Sequence, residues 1–173
     1  MAEKKPTQSK RHIWLRPLGA YIKDLSFENI AAVKGGNAEK DLQLNVEIDI
    51  DGARGNDNRA SVGMKINAEA KASDDPMFII ELEYIGIFIG EGLAPNSSGI
   101  PKSMLLIRGP EMLFPYAQRI VADISLSGGF PPVMLESVDF EKLYYERSAD
   151  QDPAAEKEEK RPPGKRKTPP GVN

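Results

Sequence analysis

Between Asp41 and Ile50 the apolar residues Leu42, Leu44, Val46, Ile48 and Ile50 alternate with Asp41, Gln43, Asn45, Glu47 and Asp49. A period of two places one set on each side of a strand and predicts a strand with one wet face. The segment DGARGNDN that follows is rich in turn formers, and Val62, Met64, Ile66, Ala68, Ala70 and Ala72 then resume the same period, which predicts a hairpin. Asp74, Asp75 and Pro76 turn the chain into a third strand from Met77 to Gly90, and Tyr21 to Glu28 reads as a fourth. The Met77 strand has apolar groups on both sides. Phe78, Ile80, Leu82, Tyr84 and Phe88 share one side, and Ile79, Ile85, Ile87 and Ile89 share the other with Glu81 and Glu83. A half-wet sheet needs only one apolar side, so this strand is either covered by helices of its own chain or held at a subunit interface.

After Pro110 the period changes to a helical one. Leu113, Tyr116, Ala117, Ile120, Val121 and Ile124 define an amphipathic helix of about four turns, with Pro115 in its first turn and Gly128 and Gly129 as its stop. Phe130, Pro131 and Pro132 force an extended connection, and Asp139 is placed to cap a last helix running to Arg147, whose apolar side is Phe140, Leu143 and Tyr144. Strands first and helices last argue for an α+β fold, with the helices on one face of an antiparallel sheet.

Residues 1–12 and 150–173 are rich in Lys, Glu, Pro and Gly and poor in bulky apolar groups, and are expected to be disordered tails around a domain at 13–149. The chain of 173 residues carries a formal charge of −3, but its N-terminal nineteen residues are strongly basic, which leaves about −8 on residues 20–149. An acidic body favours cationic partners over nucleic acid, although the tail KRPPGKRK at 160–167 is itself basic. No apolar run is long enough to span a membrane, and the basic N-terminus is not followed by an apolar leader, so a cytoplasmic protein is expected.

Catalytic parts are scarce. There is no cysteine and one histidine, His12, so neither a thiolate or zinc site nor a Ser/His or Cys/His nucleophile can be assembled. Glu81 and Glu83 on one strand face read as a solvated pair rather than an acid/base couple, and GIFIGEG is not a phosphate-binding glycine motif. No enzyme activity, cofactor or metal is expected.

The stretch YIKDLSFEN from Tyr21 and the block LFPYAQRIVADISLSGGFPPVMLESVDF from Leu113 resemble the SecB family of bacterial export chaperones. That resemblance implies a four-stranded antiparallel sheet of Greek-key type with C-terminal helices on one face, assembled as a homotetramer, a dimer of dimers. It implies a chaperone that holds unfolded preproteins without nucleotide and hands them to the SecA translocation motor. A SecB-like chaperone serving a narrow client such as a toxin–antitoxin pair, without the motor, is the alternative. Within KDLSFE and FIIELEY the family's motor-binding positions fall on Asp24, Glu28, Ile79 and Glu81. They meet a short, basic, zinc-bound tail of the motor, so the metal belongs to the partner. Interface positions fall on Ile80, Leu82 and Tyr84 and on the helix with Leu113, Ile120 and Ile124. Client contacts fall on Ile30 and Val33 in the loop after Phe27 and on Phe140, Leu143 and Tyr144, with Met112 and Met134 as further candidates. Three places depart from the family: NIAAVKGGNAEKD lacks the usual loop aromatics, Gln118 stands where arginine is common, and the tail is mixed rather than acidic.

Overall fold

The computed structural model describes residues 12–34, 42–94 and 97–151. The two expected tails, apart from His12 at one boundary and the end of the last helix at the other, and the stretch 35–41 of the loop after Phe27 lie outside the described residues. In chain order the elements are β1 (Trp14–Asn29), α1 (Ile30–Lys34), β2 (Gln43–Arg54), β3 (Arg59–Ala72), β4 (Asp75–Glu91), α2 (Lys102–Ser127) and α3 (Phe140–Gln151). The chain divides into two units, 1–140 and 141–173. The second contains α3 after its first residue, a helix whose Tyr144 and Tyr145 rings meet edge to face at 5.3 Å.

The strands form one antiparallel sheet in the order β1-β4-β3-β2. Three consecutive strands run as a meander, and β1 returns to lie beside β4 after a long connection through α1, which is Greek-key connectivity. The β2–β3 hairpin closes through Asp57 and Asn58, both at positive φ, with the Arg59 N–H donating to the Asn56 carbonyl at 3.0 Å. Asn and Asp tolerate that left-handed backbone better than other side chains, which is why this tetrapeptide turns.

Two elements are longer than their sequence pattern predicts. β1 begins at Trp14, seven residues before Tyr21, and runs through Pro17 and Gly19 with a register irregularity between them. It is an edge strand, where a proline's missing N–H breaks no ladder bond if it faces away from the neighbour. α2 spans 26 residues and holds both Pro110 and Pro115 inside it, instead of beginning after Pro110. An internal proline costs about 3 kcal/mol, and the first half of α2 offsets that by burying Leu105, Gly109 and Pro110.

The core lies between α2 and the inner face of the sheet. Val62, Met64, Ile66 and Ala68 of β3 and Phe78, Ile80, Leu82 and Phe88 of β4 are all buried there, and α2 reaches all four strands. Glycine allows the closest approach: a Cβ on Gly109 would sit 2.7 Å from Cγ2 of Val62, so the helix backbone rests almost on β3. The end of α2 is fixed by Ser125, fully buried, whose hydroxyl donates to the Ala122 carbonyl at 3.0 Å and accepts from the Val133 N–H at 2.9 Å. Gln118 donates to the Leu135 carbonyl at 2.8 Å and ties the same extended connection to the helix.

Replacing Gly109 with leucine should push α2 off β3 and destabilise the fold by about 1–3 kcal/mol, the usual cost of overpacking. Urea unfolding should show a lower midpoint at an unchanged slope; a midpoint equal to the parent's would contradict the close approach.

Candidate functional site

The outer face of the sheet carries the candidate site. Cross-strand rungs between β1 and β4 place Asp24 opposite Glu83, Ser26 opposite Glu81 and Glu28 opposite Ile79. Residues on one rung share a face, so Asp24, Glu28, Ile79 and Glu81 all lie on the side away from α2. This grouping depends on an irregularity between Ile22 and Asp24, which resets β1 so that Leu25 and Phe27 turn inward to meet Leu82 and Ile80. The four positions named by motif are therefore brought together.

Their surroundings were not anticipated from the sequence. Asp24, Glu81 and Glu83 line a concavity of about 350 Å³ with Glu47 and Asp49 of β2 and Lys65 and Asn67 of β3. The register accounts for this, since Glu47 faces Asn67, which faces Glu81, and Asp49 faces Lys65, which faces Glu83. The alternation from Asp41 to Ile50 already put Glu47 and Asp49 on a wet face; what the sequence lacked was the strand order that sets that face beside β4. Inside the patch Ser26 donates its hydroxyl to Glu81 Oε2 at 3.2 Å, and Lys23 Nζ donates to Glu83 Oε1 at 2.8 Å. The hydrogen bond and the charge of Glu83 raise the Lys23 pKa above the ordinary lysine value. The contribution of that pair is present across neutral pH and fades only as pH climbs past the lysine range. Among the described residues no group of histidine, cysteine or carboxylate side chains is arranged to hold a metal ion.

At the far end of the same face, Trp14 Nε1 donates to Glu91 Oε2 at 2.9 Å and the Arg16 guanidinium pairs with Oε1 of that carboxylate. The Arg16 hydrogen bond holds the Glu91 pKa below the ordinary glutamate value.

The expected interface residues are placed differently. Ile80, Leu82, Tyr84 and Leu113 are 0%, 2%, 8% and 3% exposed, buried within the chain itself between α2 and the sheet. Little of Ile80 and Leu82 is open, while Tyr84 and Leu113 line the floor of a groove between β1 and α2. Ile120 and Ile124 are half-buried. Exposed apolar groups include Leu18, Tyr21 and Ile22 on β1 and Met112, Tyr116 and Leu126 on α2. Leu18, Met112 and Tyr116 line a groove of about 680 Å³ with Pro17, Phe88 and Pro115. The signal for it was present in Leu18 and the helical spacing of Met112 and Tyr116, but it needed β1 to extend through Pro17.

The expected client contacts lie on α1 and on α3. Val33 on α1 is 89% exposed, Ile30 is half-buried, and Leu143 and Tyr144 belong to the separate α3 unit. Phe140 is corrected: its ring is buried edge to face against Phe114 at 5.5 Å, so it packs the core rather than facing a client. Met134 is exposed.

Among the described residues no helix is long and apolar enough to cross a membrane. A family profile described as "Preprotein translocase subunit SecB" matches residues 8–151. The chain is 41% identical over 156 residues to a "Protein-export protein SecB" of Ruegeria pomeroyi, covering 88% of this chain and 93% of that one. It is 42% identical over 144 residues to a protein of the same name from Hyphomonas neptunium, covering 79% and 81%. A solved SecB-like chaperone of Mycobacterium tuberculosis, described in complex with a peptide from an antitoxin, superposes with a TM-score of 0.59 at 12% identity over 72% of this chain and 91% of that one, a likeness of fold.

Trp14 is the chain's one tryptophan, so its emission reports on Glu91. In a His12→Ala background, which removes the neighbouring imidazole, acid titration of that emission should have a midpoint below the ordinary glutamate range, because a lowered carboxylate pKa keeps the pair intact until pH falls through the lowered value. Arg16→Gln should move the midpoint up. A midpoint indifferent to that substitution would contradict the assignment.

Proposed function

The chain belongs to the SecB family, and on that premise we propose that it works as an export chaperone that holds preproteins unfolded without ATP and delivers them to a SecA-type motor. The observation that carries delivery is the outer face of the sheet, where Asp24, Glu28 and Glu81 flank Ile79 on adjacent rungs. A short cationic tail needs opposed carboxylates for steering and an apolar spot for purchase, and this face offers both. The reading assigns no catalytic step, no cofactor and no resident metal to the chain.

Holding many unrelated clients requires exposed apolar surface without a fixed sequence readout. Ile30 and Val33 on α1 and Leu143 and Tyr144 on α3 are the proposed client contacts, with Phe140 packing against Phe114 instead. Assembly as a dimer of dimers is proposed through the surfaces that remain open, namely the free edge of β1, the groove lined by Leu18, Met112 and Tyr116, and the half-buried Ile120 and Ile124. Tyr84 and Leu113 line that groove, and Ile80 and Leu82 act on assembly indirectly, by fixing how α2 lies on the sheet. The protein works in the cytoplasm, where preproteins are made, and neither nucleic acid nor insertion into the membrane enters its cycle. The relatives near 41% identity carry the export name, whereas the antitoxin-bound structure is 12% identical, so general export is favoured over a dedicated client.

Glu81→Lys puts a like charge before a cationic partner, a juxtaposition that costs several kcal/mol. Calorimetry with the motor's zinc-bound tail should show affinity reduced at least about a hundredfold, while suppression of client aggregation stays at the parental level. Equal affinity in the lysine variant would overturn the placement of the docking face. Light scattering of the parent should give the mass of four 19.0 kDa protomers; a monomer at micromolar concentration would remove the assembly reading.

A further inference from the structure

At the border of the acidic patch β1 changes its register against β4. Ile22 faces Tyr84 and Asp24 faces Glu83, so β1 advances two residues where β4 advances one, and Lys23 is the extra residue of a bulge. An unbroken strand with Ile22 turned inward would turn Asp24 inward as well; the bulge instead leaves both Lys23 and Asp24 on the outer face. There the lysine is held by a carboxylate. Its Nζ donates to Glu83 Oε1 at 2.8 Å, and Glu83 is the more covered partner, with 17% of its side chain exposed against 59% for Lys23. Glu81, one rung further on, accepts from the uncharged hydroxyl of Ser26. A cationic partner therefore meets one glutamate already neutralised by the chain itself, beside another that, among the described residues, is not.

A second carboxylate is aimed toward the same lysine. Asp51 of β2 faces Gly63 of β3, which faces Ile85 of β4, the outward residue next to Glu83. A Cβ on Gly63 would sit 2.6 Å from Asp51 Oδ1, so the Asp51 carboxylate lies over the glycine and leans from the edge of the sheet toward β4. Any side chain at position 63 would hold it back. Asp51 is not among the residues that line the concavity, yet its charge is felt at Lys23, where it adds to the hydrogen bond and charge of Glu83 in raising the lysine pKa. The ammonium group thus stands between a carboxylate that it bonds and another whose field it already feels.

We propose that Lys23 sets the strength and selectivity of docking on this face: it is seated on Glu83 in the free protein and moves to Asp51 when a cationic partner takes Glu83 and Asp24. This role rests on the reading of the face as the motor's docking site. A flexible four-carbon stem lets the ammonium move while the bulge holds its backbone. The exchange replaces one exposed ion pair with another, so eviction is cheap and docking stays reversible. A lone cation gains little at Glu83, because it must first displace Lys23. A partner that also engages Glu81, Glu28 and the apolar spot at Ile79 gains from all of them, so the internal lysine discriminates against cations that do not match the whole face.

In the full-length protein, NMR titration of the Lys23 side chain should show its raised pKa fall toward the ordinary lysine value in Glu83→Gln; no change would overturn the seat on Glu83. Calorimetry with the motor's zinc-bound tail at low salt should show Lys23→Met, which keeps the stem and removes the charge, binding about two- to fivefold tighter than the parent, the scale of an exposed ion pair. The gain should be lost at about 0.5 M salt, where the screening length falls to a few ångströms. Removing a positive charge beside a cation site tightens binding through the field alone, so Asp51 decides. Asp51→Asn should weaken the parent by a similar factor and the Lys23→Met variant clearly less, because a second seat matters only while there is a lysine to take it. Equal loss in both backgrounds, or loss in neither, overturns the exchange. If parent and variants bind the tail equally, the face stands as the motor's and the role of Lys23 falls. If none of them binds it, the motor reading falls and the role of Lys23 with it.

Discussion

Everything in this fold leans on the burial of one side of β4. The strand is hydrogen-bonded along both edges, to β1 and to β3, and its inward residues Phe78, Ile80, Leu82 and Phe88 are covered. Each such side chain contributes about 1.5–3 kcal/mol on leaving water, and together they demand a long apolar lid. α2 meets that demand by continuing through two prolines that would end a helix with less to bury. Phe27, Phe78 and Phe130 extend the same layer toward the far end of the helix, where ring centroids lie 5.8 and 4.6 Å apart. There Gly128 has no room for a side chain because the Phe27 ring occupies the space, and Gly129, at φ 85°, turns the chain back along the sheet.

Because the lid lies on one side, the other side of the sheet is left open to solvent. Two-residue periodicity converts that choice into chemistry without further parts. From Ile79 to Glu91 the outward positions of β4 are isoleucine or glutamate, and the rungs carry Asp24 and Glu28 of β1 and, across β3, set Glu47 and Asp49 of β2 on the same face. The same strand therefore stabilises the domain with its inward residues and presents a mixed acidic and apolar surface with its outward ones. A mutation outward on β4 should act on binding with little effect on folding, and an inward one should do the reverse, since sites without shared partners behave nearly independently.

How much of this could be read from the sequence follows from where each signal was local. The alternation in β2 and β3, the two-sided pattern of β4 and the helical spacing after Pro110 are local, and they were legible, as was the family from two long motifs. The start of β1 was not, because Pro17 and Gly19 read as breakers and only the strand order shows that they sit on an edge. The first turns of α2 were hidden by Pro110 for the same kind of reason: the energy that overrides it comes from Val62 and other residues far along the chain. Ile80, Leu82 and Tyr84 were expected at an interface from the resemblance to the family, and pattern alone does not say which side of β4 the chain covers itself. Phe140 shared a helical face with Leu143 and Tyr144, yet its partner is Phe114, twenty-six positions earlier. That the four positions expected to meet a motor share one face was legible, because parity within each motif implies it; the flanking Glu47 and Asp49 needed the register.

The central claim is that this chain holds polypeptides that have not yet folded and does so without nucleotide. Stopped-flow refolding of a slow-folding preprotein, diluted from denaturant into a stoichiometric amount of the protein with no ATP present, tests it most directly. The account predicts that refolding is arrested or slowed many-fold, and that the same preprotein, once folded, neither binds nor changes its unfolding rate. Refolding at the rate seen in buffer alone, or arrest that appears only when ATP is added, would contradict it.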